Sequence, residues 1–331
     1  MEIRQLEAFA AVYTAGSVTA GARLLDRSQP MVSRQIQDLE QELGFMLFTR
    51  TRPAVTLTEQ GRQLYEEVRH VLSGLQQLDM RAREIAQGEV HPLRLASTYA
   101  LGSTLIPAVI GELEKTQPAF SQRMFIESLT PASVVRAVED AQADIGLVSL
   151  PTDLGRCQVE CSGQAPCVLA LPEWHPLAGH DTVDLEALGD TTAIVLSNRS
   201  RMRYRMSTAL LNTGSETRPR RHIETTSSIN AVMMVRQGVG VALIDPFTAA
   251  FMPMPGVVYK PVNKYVPYLM GVITHRERAL SDEIRRLIQA FWNTALERVP
   301  HFVESGTDGQ PTAIDPAELS NAGSEALTDS D

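Results

Sequence analysis

The chain has few cysteines, no long apolar run, no recognisable catalytic signature and, past residue 303, no basic residue at all. Each shortage excludes something. Cys157, Cys161 and Cys167 fall within eleven positions of a 331-residue chain. An odd, crowded set in a chain this long is not a disulfide framework, and the spacing matches no zinc pattern. The expectation is buried structural thiols on neighbouring strands. No apolar run reaches the ~18 residues of a membrane span. The opening "MEIRQLEAFAAVYTAG" alternates polar with apolar residues and carries Glu2 and Glu7, unlike a signal peptide. A cytoplasmic protein with no membrane partner is expected. GxSxG, HExxH and GK[ST] are missing, and "GVGV" follows a helix without the rest of a dinucleotide fingerprint. His175, His180 and Asp181 in "HPLAGHD" could hold a metal, but a solvated loop is the stronger reading. The expectation is therefore no enzyme, no cofactor and no metal.

The lack of bases near the end also distorts the charge. Glu304, Asp308, Asp315, Glu318, Glu325, Asp329 and Asp331 have no Lys or Arg among them, and taking these seven acids from the formal net charge of −9 leaves −2. Residues 301–331, rich in Gly, Ser, Ala, Pro and Thr, are expected to form an acidic disordered tail. Such a tail could compete with DNA for a basic surface.

What is present begins with helical periodicity. Ile3, Leu6, Phe9, Ala10 and Tyr13 predict a first helix ending at Gly16, and Ser17 caps a second with Val18, Ala22, Leu24 and Leu25. In "DRSQPMVSRQIQDLEQEL", residues 26–43, Ser28 is a candidate N-cap and Pro30 falls in the first turn, where its missing N–H costs nothing. Val32, Ile36, Leu39 and Leu43 make the buried stripe. Gln29, Ser33, Arg34 and Gln37 lie off it in the N-terminal half, and Asp38, Glu40 and Glu42 come later. A reading helix inserts its N-terminal residues against base edges, and Gln and Arg pair bidentately with adenine and guanine. "LFTRTRPAVTLTEQGRQL" predicts a hairpin turning at Arg52-Pro53 and a new helix capped by Thr58. Arg50 and Arg52 on that hairpin suit a wing gripping phosphate or probing the minor groove, against the alternative of an ordinary solvated hairpin. Residues 1–62 hold seven bases and seven acids, so affinity for phosphate must come from placement. Arg23, Arg27, Arg34, Arg50 and Arg52 are expected to share one face, with Glu2, Glu7, Asp38, Glu40 and Glu42 elsewhere. Binding should be salt-dependent.

The stretch "LEAFAAVYTAGSVTAGARLLDRSQPMVSRQIQDLEQELGFMLFTRTRPAVTLTEQG" resembles the winged helix-turn-helix of LysR-type transcriptional regulators. The tokens "LEAF", "AGS", "SQPMVSRQI" and "LT..G" fall at family spacing. That resemblance implies operator contacts from Gln29, Pro30, Ser33 and Arg34, with Arg50 and Arg52 in the wing. Arg23, Ser28 and Gln37 complete the candidate DNA-binding set. Thr51 and Pro53 depart from the wing's usual basic or glycine residues.

From Thr58 to about Gln87 there is no proline. Leu64, Val68, Val71, Leu75, Leu78, Ala82 and Ile85 step by 4 and 3 alternately, an a/d seam that suits a partner helix better than its own domain. A homodimer through this linker helix would present two reading heads to an inverted-repeat operator in double-stranded DNA. A homotetramer is expected, and RNA polymerase stands as a further candidate partner.

Beyond the linker "GEVHPL", strands and helices alternate: "LRLAS", "GSTLIPAVIGELEKTQ", "SQRMFIES", "PASVVRAVEDAQ", "ADIGLVSL", and then a second set through "VGVALID". This pattern predicts βαβ units and parallel sheets. With chain crossings near 160–166 and 262–267 it describes a hinged, two-lobed binding fold. The region also resembles the effector domain of LysR-type regulators, in "PEWHPLAG" and "VRQGVGVALIDPFTA". "DPFTA" is similar to the segment of members that sense basic amino acids or opines. The expected class is α/β: a winged helix-turn-helix (1–58), a long linker helix (59–88), a two-lobed α/β effector-binding domain of periplasmic-binding-protein type (89–300), and the tail. Lobe 1 would comprise 92–162 and 267–300, and lobe 2 would comprise 163–266.

Ligands in such sheets sit outside the C-terminal strand ends, near helix starts. The residues there are Ser97, Thr98, Ser103, Thr130, Ser133 and Ser149 in the first lobe. In the second they are Ser197, Asn198, Arg199, Thr226, Ser228, Asp245 and Phe247. Hydroxyls and free N–H groups suit a carboxylate, and Asp245 could pair with an ammonium or guanidinium. Taken singly, most such Ser and Thr residues are helix caps. A small amino-acid-like effector is the expectation. The competing reading is a solute-binding or catalytic α/β protein whose N-terminal helices serve only for assembly.

Overall fold

The computed structural model describes residues 1–49, 55–87, 92–116, 123–197, 201–211 and 221–305. The wing tip with Arg50, Thr51, Arg52 and Pro53 lies outside these residues, as do Asn198, Arg199, the linker before Pro92 and the tail beyond Ser305. The chain divides into two units, Met1–His91 and Pro92–Asp331.

In the first unit α1 (Ile3–Ala15), α2 (Val18–Leu24) and α3 (Gln29–Leu43) follow the predicted periodicity. Gly16 and Gly44 end α1 and α3 in the left-handed conformation, at φ 72° and 77°. The Ser17 hydroxyl accepts from the Ala20 N–H at 3.1 Å, so the predicted cap of α2 forms. Pro30 occupies the first turn of α3, but the hydroxyl of Ser28, at the N-cap position, makes no capping hydrogen bond. Gly21 lets α2 cross tightly over α1, because a Cβ there would stand 2.8 Å from the Val12 Cα.

The seam of α4 (Glu59–Gln87) splits into two parts. Leu64, Val68 and Leu72 pack with Tyr65 against Leu6 and Phe9 of the same unit, and Val68 is buried. Tyr65 meets Phe9 and Tyr13 edge-on at 6.0 and 4.5 Å. The first seam positions thus belong to the head itself, since α4 starts directly beneath it. Further on, Val71 is 50% and Leu78 is 64% exposed in the single chain. The Ile85 side chain lies outside the described residues.

The second unit carries β1 (Leu93–Thr98), α5 (Tyr99–Ser103), α6 (Leu105–Thr116), β2 (Met124–Leu129), α7 (Pro131–Glu139) and β3 (Ile145–Leu150). After β4 (Cys157–Pro166) the chain crosses at Cys167 into β5 (Val168–Pro172), β6 (Ala193–Leu196), α8 (Arg201–Leu211), β7 (His222–Thr225) and α9 (Ser228–Arg236). It continues through β8 (Val241–Ile244), α10 (Pro246–Phe251) and β9 (Val257–Lys260). It returns through β10 (Pro267–His275), α11 (Asp282–Arg298) and β11 (Val303–Glu304). Among the described residues one sheet runs β11-β4-β10-β3-β1-β2 and the other β7-β6-β8-β5-β9.

The predicted parallel βαβ units are present as β2-β1-β3 and β7-β6-β8. Each sheet is nevertheless mixed. β10 runs antiparallel to β3 and β4, and β5 runs antiparallel to β8 and β9. These are the strands on either side of the two crossings, where the chain reverses direction between sheets. β4 stays paired with β10 as far as Pro166, so the first crossing comes four residues after the expected boundary at 162.

The expected tail also starts too early. Phe302 is buried, Val303 and Glu304 pair with Gln164 and Gly163, and the Ser305 N–H donates to the Ser162 carbonyl at 2.9 Å. Residues 301–305 belong to the domain, with the buried Phe302 as their apolar anchor.

Candidate DNA-reading surface and effector cleft

On the head, Gln29, Pro30, Arg34 and Gln37 are exposed and Ser33 is half-buried, all along the side of α3 opposite the buried Val32, Ile36 and Leu39. Ser28 is exposed at the helix start and Arg23 is exposed near the end of α2. Arg34 projects into solvent, with only a loose 3.8 Å approach to Asp38 one turn along. Arg27 departs from expectation. Its guanidinium donates to Glu7 at 2.8 Å and is only 25% exposed, so it joins α1 to the turn before α3 instead of the exposed arginines.

Of the acids that looked unfavourable for DNA, Asp38 stays exposed beside Arg34 instead of on another face, because it lies one helical turn along. The others are engaged by the fold. Glu2 forms a capping box with Gln5 at the start of α1. Glu40 Oε1 accepts from the Leu47 N–H at 2.7 Å and holds the arm leading to the wing. Glu42 pairs with the N-terminal amine of Met1. The two wing arms are joined by Thr49 N–H donating to the Thr56 carbonyl at 2.8 Å, with Phe48 bridged to Leu57. Thr58 caps α4 as predicted, accepting from the Gly61 N–H at 2.9 Å.

In the second unit a cleft of about 420 Å³, measured to its open mouth, runs between the strand ends of the two sheets. Thr98, Ser149, Ser228 and Asp245 line it, together with apolar and aromatic residues. Among the described residues the buried Thr98 hydroxyl has no hydrogen-bond partner, and the same holds for the hydroxyls of Ser97 and Ser197 at neighbouring strand ends. An unpartnered buried hydroxyl is costly, so three together at strand ends call for an explanation. Thr98 stands before α5 without capping it, which leaves its oxygen available.

Asp245 is 1% exposed. It accepts from the Thr248 N–H at 2.7 Å and from the Thr248 hydroxyl at 2.9 Å, and so caps α10. Those bonds fill about half of a carboxylate's acceptor capacity. Its charge helps push the Cys167 thiol and the Tyr259 phenol upward, after burial itself.

Other candidates lie elsewhere. Thr130 and Ser133 bond each other at 2.9 Å, with the Ser133 N–H donating to Thr130, an ordinary cap on α7. Ser103 is exposed at the end of α5, and Thr226 is exposed beside α9. Phe247 is fully buried, tilted against Tyr268 at 5.8 Å and edge-on to Phe302 at 5.9 Å, and does not line the cleft. His175 Nδ1 accepts from the Leu177 N–H at 3.2 Å, and burial lowers its pKa.

A family model described as the bacterial regulatory helix-turn-helix of the lysR family matches residues 3–62, and the LysR substrate binding domain matches residues 86–296. The chain belongs to the LysR family. It is a DNA-binding transcriptional regulator with an effector-binding domain, and not an enzyme. This regulator is 31% identical to the transcriptional activator protein LysR of Escherichia coli K12 over 92% of this chain and 96% of that one. It is 30% identical to the regulatory protein NocR of Agrobacterium fabrum, over 82% and 90% respectively. It is also 30% identical to the octopine catabolism/uptake operon regulatory protein OccR of Rhizobium meliloti, over 80% and 86%. Among solved structures, full-length CbnR complexed with its target DNA shares the fold, with a TM-score of 0.58 at 23% identity, covering 89% of this chain and all of that one.

Sequence reasoning about this LysR-type regulator passed over Tyr99, Leu129, Pro131, Leu196, Met206 and Tyr268, which also line the cleft. Two signals were legible. Tyr99 directly follows the strand end at Thr98, and Tyr268 directly follows the second crossing. No helix among the described residues is long and apolar enough to cross a membrane.

Proposed function

We propose that this LysR-type regulator reads an inverted-repeat operator as a dimer joined along the far part of α4, and assembles further into a tetramer. In this reading it works in the cytoplasm, where its DNA is. Arg23, Ser28, Gln29, Pro30, Ser33, Arg34 and Gln37 face the duplex, and Arg50 and Arg52 follow from the wing. The effector is a small amino acid or related carboxylate held between the lobes of the second unit.

The observation that carries the effector class is the pairing of Asp245 with the unpartnered Thr98 hydroxyl on the same cleft. A carboxylate on the effector supplies the acceptor that Thr98 lacks, and an ammonium or guanidinium neutralises Asp245. An uncompensated buried carboxylate is strongly unfavourable, so a purely anionic ligand fits this cleft poorly. The name of OccR, which ties that relative to octopine, an amino-acid derivative, supports the same class.

The test is the melting temperature of the full-length protein with L-lysine, L-arginine, L-glutamate and a set of organic acids. An amino acid present at 100 times its dissociation constant should raise the transition by about 5–10 °C. A rise given only by acids that lack an amine would overturn the assignment.

A further inference from the structure

The family match ends at residue 296, yet the chain continues in ordered contact to Ser305. Phe302 sits edge-on to Trp292 at 5.5 Å and to Phe247 at 5.9 Å, and Phe247 lies against Tyr268 at 5.8 Å. Tyr268 lines the effector cleft, and Phe247 is two residues from Asp245, which also lines it. The Asp245 carboxylate caps the helix that carries Phe247. On the other side, Gly163 makes room for the Phe302 ring, since a Cβ there would stand 2.4 Å from Cζ and 2.7 Å from Cε1. β11 closes the arrangement, with the Ser305 N–H on the Ser162 carbonyl and the Ser162 hydroxyl on the Ser305 carbonyl at 3.1 Å.

We propose that Phe302, beyond the matched family domain, is a positioning residue for the effector cleft and fixes the Asp245–Tyr268 wall through Phe247. Close-packed aromatic contacts transmit a displacement because no void absorbs it. If Phe302 leaves its place on Gly163, Phe247 loses an edge contact, α10 is free to shift, and the carboxylate at its cap moves with it. The identity of the ligand rests on the amino-acid reading above, but the mechanical coupling does not.

The test uses the full-length chain with Trp174→Phe, which leaves Trp292 as the sole tryptophan. Tyr268→Leu alters the cleft wall directly and should change the emission of Trp292, whereas the surface substitution Gln142→Ala should not. Calorimetric titration with L-lysine and L-arginine, well below the melting temperature, should show binding weakened about tenfold in both Phe302→Leu and Gly163→Ala. Gly163→Ala leaves the aromatic ring itself intact, so agreement between the two identifies position and not ring loss as the cause. Binding should also shift Trp292 emission, by reciprocity of coupling, and truncation after Ser305 should leave affinity unchanged. Unaltered Trp292 emission in Tyr268→Leu overturns the coupling whatever the ligand, and so does unaltered affinity in both other variants. If neither amino acid binds while Tyr268→Leu still moves Trp292, the coupling stands and the amino-acid reading fails.

Discussion

The Arg27 guanidinium donates to the Glu7 carboxylate at 2.8 Å, tying the turn before α3 to α1. That contact divides the arginines by role. Arg27 braces the fold, while Arg23 and Arg34 stay exposed. Arg27→Ala should lower head stability by no more than about 1 kcal/mol, since the pair is partly solvated, and leave the salt dependence of DNA binding nearly unchanged. Arg34→Ala should cost about 1–3 kcal/mol of discrimination between operator and random DNA, with the oligomer intact by sedimentation. Mobility shifts across a salt series separate the two. Selectivity retained in Arg34→Ala would move the reading surface off α3.

The cleft makes a prediction with opposite signs for stability and binding. Thr98→Val replaces an unpartnered buried hydroxyl with a methyl group of the same shape, so the effector-free protein should melt no lower than the parent. Effector affinity should fall about tenfold, by loss of one hydrogen bond to a charged group. Asp245→Asn keeps an acceptor for the Thr248 N–H, so the cap of α10 survives while the charge is lost. It should weaken binding of L-lysine or L-arginine and leave DNA affinity as it was. Unchanged titration curves would remove Asp245 from the site.

The three thiols are expected to be inert. Burial pushes Cys157 and Cys161 from the ordinary 9.0 to about 12 and Cys167 well upward. At pH 8 the thiolate fraction of the first two is then on the order of one part in 10⁴. Iodoacetamide should leave all three unmodified in the native protein and alkylate them after denaturation. A folded thiol pKa above its unfolded value favours the folded state fully below pH 9, and that contribution is lost as pH rises from 9 towards 12. Thermal stability should therefore decline across this alkaline window.

Much of the regulator was legible because its elements declare themselves locally. Pro30 opening α3, Thr58 capping α4 and the alternation through β1, β2 and β3 all depend on near neighbours in sequence. What escaped depends on distant partners. β4, with Gln158, Glu160, Ser162 and Gln164 alternating among small residues, resembles a crossing loop and becomes a strand only through its pairing with β10. Phe302 stands at the edge of the acidic tail, and the gap that receives its ring is at Gly163, 139 positions earlier. Arg27 carries no local sign that Glu7 will claim it. In the second unit Thr98, Ser149 and Ser228 line the cleft whereas Thr130 caps α7, a difference that depends on three-dimensional neighbours and that periodicity does not carry.

The exposed part of α4 gives the sharpest test of assembly. Leu78 is 64% exposed in the single chain, so replacing it cannot disturb that chain's own core. Val68, only 3% exposed, is already committed to the head. Leu78→Lys should therefore leave the melting of the effector-binding domain unchanged while placing two like charges in a paired seam, where burying them without partners costs several kcal/mol. Sedimentation should show the assembly falling towards monomer, and affinity for a two-half-site operator should drop far more than affinity for a single half-site, because the second head no longer binds intramolecularly. If Leu78→Lys sediments like the parent, the helices pair through some other face of α4, and the far part of the seam is only a solvated stripe.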